Sequence, residues 1–195
     1  IDDGSVDRTA IVAQEAGAIV ARHPFNIGYG AALQTGYKYA DKNGYDFIVQ
    51  MDADGQHDPA CIGGLLEGVK NGFMDVVVGS RFMGGVKYKA PLLRKSGMFL
   101  FSMLVSLITQ QRITDSTSGF QALNERAYKF LINDIYPCDY PDADVIIMLH
   151  RSGFLIKEIP SVMYNNNSLK SMHSGFRPIY YVFKMILSIF VMLLR

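Results

Sequence analysis

Short apolar runs alternate with helix-like segments along the first half of the chain, and this alternation sets the fold class. Three runs have the length and composition of buried strands, at positions 18–21, 47–49 and 76–78. Around them, apolar residues are spaced as in amphipathic helices, over positions 7–16, 30–42 and 59–71. Strands and helices in this order predict an α/β fold with a mostly parallel sheet flanked by helices.

Acidic and glycine-rich turns stand at strand ends. Asp52-Ala53-Asp54-Gly55 and Gly79-Ser80-Arg81 follow two of the predicted strands, and Asp2-Asp3-Gly4-Ser5 has the pattern of a turn at the end of a strand. In open α/β sheets, ligands bind outside the carboxyl ends of the strands. The coincidence predicts a functional site at this edge of the sheet.

Asp52 and Asp54 stand in the turn directly after an apolar run, where alternate residues can point the same way. Both carboxylates can therefore face one hard cation. Mg²⁺ and Mn²⁺ take oxygen ligands and are commonly held by one or two carboxylates together with substrate phosphates. Gln56 can add an oxygen ligand or orient a water molecule. The alternative is an Asx-rich turn, and Asp58 before Pro59 has the pattern of a helix N-cap.

Two further stretches suggest a nucleotide. Asp7 or Ser5 can cap the helix that follows, which leaves Asp2 and Asp3 at the strand end, where a carboxylate can accept hydrogen bonds from a nucleobase N–H or a ribose hydroxyl. Gly28-x-Gly30 precedes a helix, but it lacks the third glycine of a dinucleotide fingerprint. It fits better a backbone that packs closely beside a nucleotide.

The composition excludes several classes of protein. A net charge of +1 gives no electrostatic case for a nucleic-acid partner. Two cysteines predict neither a disulfide framework nor a zinc cluster. The 49% of hydrophobic residues fits one globular domain with a substantial core.

The second half of the chain is more helical. We predict a largely apolar helix over 92–108, a polar turn over 114–123 followed by a helix to about residue 132, a helix over 142–152 and a strand over 154–159. From Pro178 the chain reads PIYYVFKMILSIFVMLLR, interrupted only by Lys184 and Ser188. As a helix it reaches roughly 26 Å, slightly short of a bilayer core. Membrane association, docking on a partner or a second copy, and core packing all remain open.

Several of these motifs occur, in the same order, in a known family. IDDGSVDRT, NIGYGAALQTG, MDADGQHDP, VVVGSRF and DSTSGF resemble the signature of family 2 glycosyltransferases. The chain looks most like the branch of dolichyl-phosphate mannose synthases and polyprenyl-phosphate glycosyltransferases. The resemblance implies a Rossmann-like GT-A fold and inverting transfer of a sugar from a nucleotide diphosphate sugar.

The resemblance also implies roles for individual residues. Asp52, Asp54 and Gln56 would hold Mg²⁺ or Mn²⁺ on the diphosphate. The nucleotide would contact Asp2, Asp3, Asn26, Gly28 and Asp52. Catalytic roles would fall to Asp54, to Arg81 and Arg94 near the phosphates, and to Asp115 facing the acceptor.

The acceptor decides whether a base is needed. A polyprenyl phosphate is already an anion, whereas a saccharide hydroxyl requires a carboxylate base. Asp115, Asp142 and Asp144 are the candidate bases. The resemblance favours a polyprenyl phosphate, for cell-envelope glycan or glycoprotein synthesis, at the cytoplasmic face of the cell membrane.

Two departures from the family pattern keep other functions open. Members of the family open with a further strand and helix, which we expect upstream of this sequence. We assign the catalytic domain to 1–175. The apolar helix at 176–195 favours membrane association or self-association. Asn166 stands where an Arg is expected. Alternatives are a transferase that builds polysaccharide on saccharide hydroxyls and a non-catalytic subunit that binds nucleotide sugars.

Overall fold

A computed structural model describes residues 1–84, 92–133, 136–137, 141–164 and 177–194, without the side chains of 92–94 and 177–181. The chain forms two compact units. One comprises Ile1–Tyr45 and Tyr128–Pro141, and the other comprises Asp46–Ala127 and Asp142–Arg195.

The first unit contains helix α1 (Thr9–Glu15) and helix α2 (Tyr29–Lys42). Tyr37 of α2 is buried and packs edge-to-face on Tyr136, with ring centroids 5.7 Å apart. This aromatic pair ties α2 to the 128–141 segment of the same unit.

The prediction of a strand at 18–21 is wrong. Its residues form no regular strand, and backbone pairing is limited to a parallel bridge between Asp2 and Arg22. Asp2 donates its N–H to the Ala21 carbonyl and accepts the His23 N–H, both at 2.9 Å. A strand needs a ladder of partners to satisfy its backbone groups, and here one residue supplies the pairing.

The second unit is built on a four-stranded sheet. Its strands are β1 (Phe47–Gln50), β2 (Val76–Ser80), β3 (Gln121–Asn124) and β4 (Ile156–Pro160), in the order β1-β3-β2-β4. β3 pairs antiparallel with β1 and β2, and β2 pairs parallel with β4. Three strands therefore run in one direction and β3 runs against them, which makes the sheet mixed.

β3 corrects the sequence-based prediction, which placed its residues in a polar turn and a helix. Ala122 of β3 stands opposite Val49 on one side and Val77 on the other. Ala122 and Leu123 are fully buried. Four residues are too few to show a period, so the strand is identified by its position between β1 and β2.

Helices flank this sheet. A 3₁₀ turn at Pro59–Cys61 leads into α3 (Ile62–Lys70). The later helices are α4 (Leu92–Thr109), α5 (Glu125–Leu131), α6 (Ala143–Arg151) and α7 (Arg177–Leu194). Asp58 Oδ1 accepts the Ala60 N–H at 2.9 Å, which confirms its predicted role as an N-cap. The cap fixes where the loop after β1 ends.

The core of this unit lies between α3 and the sheet. Leu65 and Val69 of α3 are buried against Val77, Phe120 and Ala122. Gly68, on the same helix, approaches the sheet so closely that a Cβ there would lie 2.8 Å from Cγ2 of Val77. The helix can pack at this distance only because position 68 has no side chain.

Gly68→Ala and Gly63→Ala test this packing on one helix. We expect Gly68→Ala to destabilise the protein by roughly 1–3 kcal/mol, because the fully buried Val77 has no space to move into. A Cβ at Gly63 meets nothing within 4 Å. Gly63→Ala should therefore be neutral or stabilising by up to about 1 kcal/mol. Urea midpoints of the two variants measure the difference, and equal midpoints would contradict the packing argument.

Candidate functional site

The loop that follows β1 carries the three predicted metal ligands. Asp52, Asp54 and Gln56 are all half-buried. Asp54 Oδ1 accepts the Gln56 N–H at 2.9 Å, and Gly55 between them adopts a φ of 74°. A left-handed residue of this kind lets the backbone turn sharply, so three oxygen-bearing side chains stand on one tight loop.

His57 anchors the start of the same loop. Its Nδ1 accepts the Asp52 main-chain N–H at 3.1 Å. The ring is 6% exposed and stacks on Phe120, with centroids 4.8 Å apart and planes at 11°. Burial lowers the pKa of His57 and outweighs the carboxylates of Asp52 and Asp54, which raise it. The structure therefore places a neutral imidazole in this loop.

The end of the loop is held by the segment after β4. The Tyr164 N–H donates to the Gln56 carbonyl at 2.7 Å, and the Tyr164 hydroxyl donates to Asp58 Oδ2 at 2.8 Å. His57 and Met163 form an antiparallel bridge. The backbone of the loop is thus fixed at both ends.

A buried ion pair joins the end of β2 to the loop over 114–118. Arg81 donates to Asp115 from its main-chain N at 3.0 Å, from Nε at 2.6 Å and from Nη2 at 2.5 Å. Nη2 also donates to the Thr117 hydroxyl at 2.7 Å. Asp115 is completely buried and Arg81 is 5% exposed. The two charges offset each other inside the protein.

Glu158 of β4 fixes the backbone beside this pair. It accepts the Thr114 N–H and the Asp115 N–H, each at 2.7 Å, and the Thr114 hydroxyl at 2.9 Å. Burial raises the pKa of Glu158, although these hydrogen bonds oppose the rise. Neither Glu158 nor His57 was singled out from the sequence. The available signal for Glu158 was its alternation with Ile156, which places the acid on the buried face of the strand.

In the first unit, Asp3 organises the turn that precedes α2. Asp3 Oδ1 accepts the Ile27 N–H at 3.0 Å, and Oδ2 accepts the Gly28 N–H at 2.9 Å. His23 Nδ1 donates to Oδ1 at 2.7 Å. Burial raises the pKa of Asp3, but these hydrogen bonds outweigh it and the pKa lies below its ordinary value. A carboxylate thus holds the glycine turn predicted to lie beside a nucleotide.

Asp2 is buried next to this turn. Its Oδ1 accepts the Ser5 N–H at 3.0 Å, and Arg22 Nε lies 3.1 Å from Oδ2. Hydrogen bonds from Ser5, followed by the charge of Arg22, lower the pKa of Asp2. Asn26 is exposed. The predicted nucleotide contacts of Asp2, Asp3, Asn26 and Gly28 stay predictions.

Two sequence-based expectations concern residues that the structure leaves undescribed. The backbone of Arg94 lies in α4, but its side chain is outside the described residues. Asn166 also lies outside them. The phosphate contact of Arg94 and the consequence of Asn166 therefore stay predictions.

The loop after β1 suits a hard cation in its donor set. Asp52 and Asp54 offer carboxylate oxygens, and Gln56 offers an amide oxygen. Within the described residues, no group of three or more His, Cys, Asp and Glu side chains is placed to hold a metal. A cation on this loop would therefore share its coordination with oxygens of a bound ligand.

Comparison with known sequences identifies relatives along most of the chain. It is 31% identical over 179 residues to the UDP-N-acetylglucosamine–dolichyl-phosphate N-acetylglucosaminyltransferase of Methanococcus voltae, covering 82% of this chain and 71% of that protein. It is 29% identical over 183 residues to the undecaprenyl-phosphate mannosyltransferase of Micrococcus luteus, covering 90% and 74%. These similarities support the branch of the family indicated by the sequence motifs.

Comparison with solved structures shows the fold. Glucosyl-3-phosphoglycerate synthase from Mycobacterium tuberculosis, in complex with Mn²⁺, uridine diphosphate and phosphoglyceric acid, matches with a TM-score of 0.68 at 16% identity. The match covers 98% of this chain and 66% of that chain, so the protein spans about two thirds of the solved structure. The predicted α/β GT-A fold is confirmed.

The sequence model of glycosyl transferase family 2 matches residues 1–132, which is more than half of the chain. The motifs that carry this similarity include the acidic loop after β1 and the glycine turn before α2. The protein belongs to glycosyl transferase family 2.

Proposed function

We propose that the protein transfers a sugar from a nucleotide diphosphate sugar to a polyprenyl phosphate, with inversion at the anomeric carbon. The observation that carries this proposal is the loop after β1, which presents Asp52, Asp54 and Gln56 on a backbone fixed at both ends. The relatives named above act on dolichyl and undecaprenyl phosphates, which supports the same acceptor class here.

The donor is proposed to bind through its diphosphate and its nucleoside. Asp52, Asp54 and Gln56 would hold Mg²⁺ or Mn²⁺, which would offset the negative charge that develops on the leaving nucleoside diphosphate. Asp52 would also contact the nucleotide. The proposed nucleoside contacts of the first unit are Asp2, Asp3, Asn26 and Gly28.

The burial of two of the three candidate bases favours a phosphate acceptor; the third, Asp142, is half-buried, and its main-chain N–H donates to Asp144. Asp115 is completely buried and hydrogen-bonded to Arg81. Asp144 of α6 is buried too, and the Ser188 hydroxyl of α7 donates to it. A general base must reach the proton that it removes. A phosphate acceptor attacks as an anion and needs no such base, so the chemistry is compatible with this arrangement.

The arginines divide into two proposed roles. Nε and Nη2 of Arg81 donate to Asp115, and Nη2 also donates to Thr117; the carboxylate offsets the charge of the guanidinium. We assign Arg81 to shaping the acceptor side of the site together with Asp115. Arg94, near the start of α4, is the proposed direct contact of a phosphate, since Arg can bind phosphate oxygens in a bidentate manner.

Two helices supply a surface that suits the lipid part of the acceptor. No helix among the described residues has the length and apolar character to cross a membrane. The sequences of α4 and α7 contain no Asp or Glu, and both helices expose large apolar side chains. Those of α4 are Phe99, Leu100, Met103 and Leu107, and those of α7 are Phe183, Ile186, Leu187, Phe190, Val191, Leu193 and Leu194. We propose that both helices rest on the inner face of the cell membrane.

Asp54→Asn tests the donor and metal assignment. Thermal unfolding is measured with GDP, UDP and other nucleoside diphosphates, each with and without Mn²⁺. We expect one nucleotide to raise the midpoint only when Mn²⁺ is present. At 100 times its Kd, such a ligand stabilises the folded state by about 2.7 kcal/mol. Asp54→Asn should abolish the shift, because it removes one charge from the proposed ligand set.

Asp46→Asn is the matched control for that experiment. It makes the same chemical change at an exposed residue directly before β1, outside the acidic loop. We expect this variant to keep the wild-type shift. A shift that does not depend on Mn²⁺, or one that survives Asp54→Asn, would contradict the metal assignment.

The acceptor is tested with a polyprenyl phosphate and the matching polyprenol. With a radiolabelled sugar on the nucleotide identified above, we expect label in the organic phase with the phosphate alone. The polyprenol lacks the anionic nucleophile and should give at least a hundredfold less product. Transfer to a saccharide hydroxyl would favour the polysaccharide alternative, and nucleotide binding without transfer would favour a non-catalytic subunit.

The membrane surface is tested by flotation with vesicles that contain anionic lipid. We expect the double variant Phe183→Glu/Phe190→Glu to bind at least tenfold more weakly, because each Phe contributes about 1.5–3 kcal/mol on burial. Phe73→Glu is the matched control, since Phe73 is 72% exposed, comparable to 65% for Phe183 and 58% for Phe190, but lies in the turn after α3. Unchanged vesicle binding with a loss of self-association would instead indicate docking on a second copy.

A further inference from the structure

His57 holds the backbone of Asp52. The Asp52 N–H donates to His57 Nδ1, which closes the loop across five residues. Gly55, inside this closed segment, has a left-handed φ of 74°. Because glycine has many accessible conformations, a loop built around it keeps one shape only when other contacts hold it. The imidazole is such a contact, and it bonds directly to the residue that bears the first proposed metal ligand.

The imidazole of His57 is held in turn by Phe120. Its ring lies nearly parallel to the ring of Phe120, 4.8 Å away. Phe120 is completely buried in the core beside Leu65 and Val77, and its carbonyl accepts the Gly79 N–H at 2.8 Å. The orientation of His57 is therefore set by the rigid part of the second unit. An isolated antiparallel bridge to Met163, in the segment after β4, holds the His57 main chain as well.

We propose that His57 is a positioning residue for the metal site. Its ring packs on the buried Phe120 while its Nδ1 accepts the Asp52 N–H, so it holds the Asp52 backbone in place. The Asp52 carboxylate is thereby directed toward the cation. The proposal rests on the proposed function, since it concerns the metal assigned there. Groups that orient metal ligands typically contribute 10- to 100-fold to metal affinity. His57 touches neither the cation nor the substrate in this proposal.

A purely structural role for His57 makes a different prediction. A buried ring that only fills space in the core would affect stability, and it would affect metal binding only through loss of folding. The two roles separate because the ring and the Nδ1 acceptor can be removed independently. Phe keeps a stacked ring and removes the acceptor. Asn places its amide oxygen where His has Nδ1 and removes the ring.

The experiment compares His57→Phe with His57→Asn in the full chain. Binding of Mn²⁺ is measured by electron paramagnetic resonance in the presence of the nucleoside diphosphate that stabilises the wild type. Thermal midpoints are measured separately without metal. We expect His57→Phe to keep a midpoint near that of the wild type and to bind Mn²⁺ at least tenfold more weakly. We expect His57→Asn to lower the midpoint and, where folded, to bind Mn²⁺ within about threefold of the wild type.

The possible results separate this proposal from the one on which it rests. If Asp46→Asn and the wild type bind Mn²⁺, and His57→Phe binds it as tightly as they do, His57 has no positioning role. If both His57 variants lose affinity in step with their stability, the residue is a core residue only. If the wild type binds no Mn²⁺ with any nucleotide, the proposed function fails and this inference fails with it.

Discussion

The buried pair of Arg81 and Asp115 is the interaction on which the rest of the second unit's site depends. Removing one partner of such a pair leaves an uncompensated charge in the interior, which typically costs 3–5 kcal/mol. Here the carboxylate accepts three hydrogen bonds from Arg81, including one from its main chain, so the end of β2 and the loop over 114–118 cannot move independently. Glu158 holds the backbone of the same loop from β4. Three separate parts of the chain thus meet at Asp115: Arg81 binds its carboxylate, and Glu158 accepts its main-chain N–H.

This arrangement influences the chemistry that the site can perform. A guanidinium whose charge is already offset attracts a phosphate more weakly than a free one, and a completely buried carboxylate cannot reach a proton on a bound substrate. Neither residue is therefore well suited to the direct role that a sequence motif would assign to it. The acidic side chains of Asp52 and Asp54, which are half-buried, are better placed to bind a cation together with a ligand. An acceptor that brings its own negative charge fits such a site better than one that must first be deprotonated.

The sequence predicted the parts of this protein whose signal is local. Strands β1 and β2 are recognisable because their apolar runs end in polar turns, and the cap at Asp58 is recognisable because Pro follows it directly. β3 could not be found in this way, since it owes its conformation to the two strands beside it. The strand expected at 18–21 failed for the opposite reason, because an apolar run without a neighbouring ladder does not form a strand. His57 and Glu158 matter through partners far away in sequence, at Phe120 and at Thr114 and Asp115, and no spacing rule reveals such contacts.

The acidic loop combines a flexible sequence with a fixed backbone, and this combination suits the cation site proposed there. Its Ala-Asp-Gly sequence would sample many conformations in isolation. In the folded chain, His57 holds its start, Tyr164 bonds to Gln56 and Asp58, and the cap at Asp58 closes its end. Binding of a cation to a preorganised loop need not order the backbone, so less of the binding free energy is lost to conformational entropy. The loop loses its conformational entropy during folding, when contacts with the core form, and not when the ligand binds.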